Sequence, residues 1–173
     1  EEERNKIIKR VPHPSILEHC YVNMMFNDVS MFVEQFMIEH RLAAYTVKSR
    51  RYVNFSDAGY NLPNLSYMDI ADINRSEAAY RIMKLMIMNA FELYDKAKNA
   101  GMPSEDARYV LPCAFRSNFF ASMTGSAIKE LVADMIYYEG AEYDEIVTYG
   151  YSLRDQINEV LPFLNIDAFL EKK

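Results

Sequence analysis

The sequence predicts an α+β fold, a small mixed or antiparallel sheet accompanied by several helices. Long segments repeat apolar residues at helical spacing, most clearly from Ala78 to Tyr94. Two shorter segments, 20–26 and 113–123, are rich in aromatic and apolar residues and read as strands. No internal repeat and no linker rich in Pro or Gly divides the chain, so residues 1–173 are expected to form a single domain. With 173 residues, half of them hydrophobic, the chain can bury a sizeable core, and its composition argues against disorder.

Taken in order, residues 1–12 are charged and then apolar and read as a leading arm or helix end. Ser15 to His19 fits one short turn, and Cys20 to Phe26 a strand. Asn27-Asp28 marks a turn. Ser30 or Asp28 can then cap a helix carrying Met31, Phe32, Phe36, Met37 and Ile38, because their side-chain oxygens can take its free N–H groups. That helix delivers His40 and Arg41 at its C-terminal end, where the helix dipole favours cations. Residues 53–71 are rich in Asn, Ser, Asp, Gly and Pro and read as a long loop.

Asn74-Arg75-Ser76-Glu77 reads as a capping box. It opens a helix with Ala78, Ile82, Leu85, Met86, Ala90, Phe91, Leu93 and Tyr94 as apolar positions, ended by Gly101 and Pro103. Ser104 can cap a helix through Val110, stopped by Pro112. Cys113 to Met123 reads as a strand, Thr124 to Tyr138 and Tyr143 to Leu161 as helices. Leu161-Pro162 ends the last of these, ahead of a short tail helix. The 11 methionines along the helices read as core filler. The apolar helical faces also exceed the needs of a small monomer, which hints at an oligomer.

The net charge of −6 and the pI near 5.1 argue against nucleic acid as partner. No apolar run is long enough for a membrane helix, and no secretory leader is visible. The abrupt start at Glu1-Glu2-Glu3, without an initiator Met, suggests a trimmed or processed piece. Cys20 and Cys113 form neither a CxxC pair nor a zinc spacing, so buried free thiols in a reducing, cytoplasmic setting are expected. His13, His19 and His40 match no zinc motif, and no metal is expected. Neither GxGxxG nor a P-loop occurs.

Against the acidic background, Arg41, Lys48, Arg50 and Arg51 gather with no acid between His40 and Asp57. Arginine presents a planar fork of donors that suits phosphate and carboxylate. Two readings stand for this stretch: an anion pocket, or a solvated basic loop.

His40-Arg41, seven residues and then Ser49 resemble the signature of the flavin-dependent thymidylate synthases, Arg-His-Arg, seven residues, Ser. His13-Pro14-Ser15-Ile16-Leu17-Glu18-His19 resembles that family's upstream segment. Ala107-Arg108-Tyr109-Val110-Leu111-Pro112 resembles its downstream Ala-Arg-x-Val-Leu-Pro. Order and spacing agree from about residue 13 to near residue 160. The resemblance implies that family's fold, and the transfer of a methylene carbon from methylenetetrahydrofolate to C5 of dUMP. Reduced FAD would supply the hydride, NADPH would reduce the flavin, and active sites would be shared in a homotetramer. It further implies nucleotide contacts from Ser49, Arg51 and Arg108, with Arg50 beside them. Flavin contacts would come from His13, Ser15, Glu18, His40 and Arg41. Nothing in the sequence supplies a base for Ser49, so its role is nucleotide positioning rather than nucleophilic attack. Without the resemblance, an ion pair of Arg108 with Glu105 or Asp106 is an equal reading.

The departures are as informative. Glu39 stands where the family has the first motif arginine, and Thr46-Val47 replaces an Asn-Glu pair. Phe36 stands for a glutamine. Thr124-Gly125-Ser126-Ala127-Ile128 replaces Asn-Ala-Arg-Ser-Leu, and Met135 replaces an arginine expected against the uracil. Three readings follow. One is a methylating enzyme with altered nucleotide or flavin geometry. Another is a paralogue without chemistry. The third is a chain that lends Ser49, Arg51 and Arg108 to a partner in a mixed oligomer.

Overall fold

The computed structural model describes residues 14–64 and 73–173; the expectations for residues 1–13 and 65–72 lie outside the described residues. A 3-10 turn, Pro14–His19, leads into strand β1, Tyr21–Ser30, and helix α1, Met31–Ile38. Strand β2, Ala43–Val47, follows. Helix α2 spans Ile73–Asn99 and the short α3 spans Ser104–Ala107, continued by a 3-10 turn at Arg108–Val110. Strand β3, Arg116–Thr124, runs into α4, Gly125–Tyr137. Helix α5, Asp144–Val160, and the tail helix α6, Ile166–Leu170, close the chain. The sheet is antiparallel with strand order β1-β3-β2, so the α+β expectation stands.

The chain divides into two compact units. The first holds Glu1–Met24, Phe36–Tyr45 and Phe120–Lys173; the second holds Met25–Gln35 and Thr46–Phe119. In the first unit, α4 buries Ile128, Leu131, Val132, Met135 and Ile136, and α5 buries Ile146, Leu153 and Ile157. The two helices approach closely because glycines face Met135. A Cβ on Gly140 would lie 2.7 Å from Met135 Cα, and one on Gly150 would lie 2.8 Å from Met135 Cβ. Thr124 caps α4 by accepting the Ala127 N–H at 3.2 Å, a contact worth about 1 kcal/mol.

In the second unit Phe55, Tyr94, Ala107 and Phe115 form the core, with Phe91, Ala97 and Leu111 packed against it. The turn-rich loop after β2 is therefore anchored: Phe55 is buried, and its N–H donates to Tyr94 Oη at 3.3 Å. Helix α2 packs on α3 and on the 108–110 turn. It ends in a Schellman motif. Met102 N–H bonds Ala97 O and Gly101 N–H bonds Lys98 O, each at 3.0 Å, with Gly101 at φ 89°.

Six local expectations change. Asn27-Asp28 does not turn the chain. Asp28 takes φ 53° inside β1, and its peptide groups are met by side chains: Asn118 Oδ1 accepts its N–H at 2.7 Å, and Asn61 Nδ2 donates to its carbonyl at 2.8 Å. The strand therefore runs on to Ser30, whose Oγ caps α1 by accepting Val33 N–H at 3.1 Å. Within the basic stretch, 43–47 is a strand, tied to β3 by Lys48 N–H to Asn118 O at 3.2 Å. Helix α2 starts at Ile73, so Asn74 to Ser76 lie within its first turn. Of its expected apolar positions only Tyr94 is buried, while Ile82, Leu85, Met86 and Leu93 are exposed; Ile87, not among them, is buried. Ser104 is the first residue of α3 rather than its cap, and its Oγ accepts from Lys98 Nζ at 2.9 Å. Both cysteines are free, but Cys20 is half-buried and Cys113 exposed rather than buried.

Candidate functional site

The sequence-predicted residues fall into two groups, one in each unit. The nucleotide group, Ser49, Arg50, Arg51 and Arg108, lies in the second. Ser49 follows β2 directly and opens a tight turn: Val53 N–H donates to Ser49 O at 3.1 Å, and Arg51 N–H donates to Ser49 Oγ at 3.3 Å. The hydroxyl oxygen thus accepts from the backbone, which leaves its own O–H able to donate.

The three arginines have different surroundings. Arg50 donates through Nη2 to Oε1 of Glu34, and its guanidinium lies 5.7 Å over the Phe115 ring. Glu34 is only 1% exposed, so this is a desolvated pair that ties the turn to α1. Arg51 is outside, clasped by Glu105 through two contacts of 3.1 Å. Arg108, three residues after Glu105, is half-buried with its guanidinium 6.0 Å over Tyr109. The alternative reading paired Arg108 with Glu105 or Asp106; the structure gives Glu105 to Arg51. Lys48 is likewise engaged, its Nζ 4.8 Å above the Phe55 ring.

The flavin group lies in the first unit, apart from His13, which lies outside the described residues. Ser15 and Glu18 are exposed on the 3-10 turn and Arg41 is exposed before β2. His40 is held on both sides. Its Nε2 meets Asp134 Oδ2 at 2.9 Å and its Nδ1 meets Phe36 O at 3.2 Å. Carbonyl and carboxylate are both acceptors, and the tautomer sets which ring nitrogen donates. Tyr45 donates to the His40 carbonyl at 3.2 Å, and burial pushes its phenol up to about 12.

These residues do not fit a flavin as they stand. The imidazole expected to contact it is spoken for by Asp134 and Phe36, Thr124 Oγ1 is spent on capping α4, and Met135 is fully buried. Sequence reasoning missed Glu34 and Asp134. Glu34 was the more legible, since it shares the helical stripe Ser30, Val33, Met37, all buried. A lone acid on such a stripe needs a cation. Asp134 carried no comparable signal, because 94 positions separate it from His40.

A family profile described as "Thymidylate synthase complementing protein" matches residues 1–163. The flavin-dependent thymidylate synthase of Thermococcus onnurineus is 26% identical over 120 residues, 69% of this chain and 48% of the relative. That of Sulfurisphaera tokodaii is 27% identical over 150 residues, 87% of this chain and 55% of the relative. The chain thus spans about half the length of these relatives. Among solved structures, a UMP/dUMP methylase, PolB from Streptomyces cacaoi, bound with 5-Br dUMP, superposes with a TM-score of 0.74 at 19% identity. The match covers 96% of this chain and 77% of that one, and the likeness is one of fold. With its family profile spanning nearly the whole sequence, and with its motif residues partly replaced, the chain belongs to the flavin-dependent thymidylate synthase family as a divergent member.

Proposed function

We propose that this chain binds a pyrimidine nucleoside monophosphate, dUMP or the related UMP, for methylation at C5. The carrying observation is the turn at Ser49, which places a hydroxyl and the Arg51 side chain within three residues of each other after β2. Together with Arg108 these groups provide charge-assisted donors suited to a phosphate. Methylenetetrahydrofolate as carbon donor, reduced FAD as hydride source and NADPH as its reductant belong to this proposal. So does a cytoplasmic setting; no helix among the described residues is long and apolar enough to cross a membrane.

The misfit of the flavin residues favours a second reading within the same frame. This chain supplies the nucleotide half of a site, and a paralogue supplies the flavin half in a mixed oligomer; the methylating reading instead takes the homotetramer. The exposed Ile82, Leu85, Met86 and Leu93 of α2 offer apolar surface for such association. A purely non-catalytic nucleotide-binding role is the limit of that reading.

The test is dUMP binding by calorimetry in the wild type and in Arg51→Ala, followed by tritium release from dUMP labelled at C5. Arg51→Ala is expected to weaken binding by at least about tenfold, the loss of one charge-assisted contact. Unchanged affinity removes Arg51 from the site. Binding without tritium release selects the partner-dependent reading.

A further inference from the structure

We propose that Glu105 is a specificity-determining residue of the Arg51 site: an internal carboxylate that a phosphate monoester displaces and a neutral nucleoside does not. The inference rests on the nucleotide reading above and deepens it. Glu105 Oε1 meets Arg51 Nε and Glu105 Oε2 accepts from Arg51 Nη2, both at 3.1 Å. This side-on, two-point clasp takes up the N–H pair that two phosphate oxygens would use. In the free chain the anion site is therefore filled by the protein itself.

The clasp is built to be exchanged. The side chains of Arg51 and Glu105 are 51% and 48% exposed, so water screens their attraction. The contrast lies one residue away, where Arg50 is held by a carboxylate almost wholly removed from water. A phosphate monoester carries close to two negative charges against one for the carboxylate, and so wins the guanidinium. A nucleoside brings no anion and leaves the clasp closed. Release requires no refolding, because no side chain caps α3 and Glu105 lies in its exposed first turn.

The experiment measures dUMP and deoxyuridine affinity in the wild type, Glu105→Gln, Glu105→Ala and Asp106→Asn at fixed salt, with thermal midpoints for each. Both Glu105 variants are expected to bind dUMP about three- to fivefold more tightly. Deoxyuridine affinity and the midpoint are expected to stay unchanged, which a merely structural role would not produce. Asp106→Asn removes the same charge from the exposed neighbouring position and is expected to leave dUMP affinity within about twofold. Equal tightening in Asp106→Asn would assign the effect to net charge and overturn the proposal. Wild-type binding with no gain in either Glu105 variant overturns it alone. A wild type that fails to bind dUMP overturns the nucleotide reading and this inference with it.

Discussion

Glu34 and Arg50 form an ion pair in which the carboxylate is almost wholly buried, and Arg50 Nη2 reaches Oε1 while Oε2 has no hydrogen-bond partner among the described residues. Glu34 lies in α1 and Arg50 in the turn after β2, so the pair fixes the turn that carries Ser49 and Arg51. Its desolvation is offset only while both partners are present. Arg50→Ala is expected to strand a buried carboxylate and cost about 3–5 kcal/mol. The paired change Glu34→Leu with Arg50→Met is expected to recover most of that loss. Urea unfolding of the single and double variants checks both values, and a single-variant loss under about 1 kcal/mol would show that the pair is solvated.

The engagement of His40 by Asp134 and Phe36 predicts weak flavin retention by this chain alone. Protein mixed with FAD and desalted is expected to lose its visible flavin absorbance. Glu39→Arg combined with Asp134→Asn restores a cation and loosens the imidazole, and is expected to raise retention about tenfold. A wild type that keeps its flavin through desalting would contradict this account of the first unit.

Tyr45 predicts a stability change in alkali. Its phenol ionises near 10.0 when free and near 12 in the fold, because burial disfavours the phenolate. A raised folded value contributes stability that is fully present below pH 10.0 and is lost as pH rises through about 12. Tyr45→Phe is expected to flatten the fall in stability across that window. Denaturant midpoints measured at several pH values decide it, and parallel slopes in the two proteins would reject it.

Two glycines predict losses of different origin. At Gly140 a Cβ would lie 2.7 Å from Met135 Cα and 2.8 Å from Met135 O, backbone atoms that cannot rotate away. Gly140→Ala is expected to cost about 2–3 kcal/mol. At Gly101 nothing lies within 4 Å, but φ is 89°, so Gly101→Ala carries only a conformational cost of about 1 kcal/mol. Chemical denaturation of both variants should rank them in that order; the reverse ranking would mean that α4 and α5 have room to separate.

Much of the helical framework is legible in the sequence, because its signals are local. Thr124 was readable as a helix start, Gly101 with Pro103 as a stop and Leu161-Pro162 as a break, each through the backbone groups it satisfies or lacks. Other signals misled. Asn27-Asp28 carried turn chemistry, but Asn118 and Asn61, distant in sequence, absorbed its peptide groups and kept the strand going. Ala43–Val47 looked like part of a basic loop because its pairing partner, β3, lies about 75 residues further on. The apolar stripe Ile82, Leu85, Met86, Leu93 has the periodicity of a core face and is exposed, since periodicity shows that a face is apolar without showing what covers it.

By itself the sequence determined the α+β class, the resemblance of Ser49, Arg51 and Arg108 to the family's motif residues, and the replacement of several others. Only the tertiary structure decided which of these side chains are already engaged. Arg50 goes to Glu34, Arg51 to Glu105 and His40 to Asp134, across gaps of 16, 54 and 94 residues. Contacts of that span depend on where folding brings the side chains and on how much water is excluded around them. Neither quantity is encoded in local spacing.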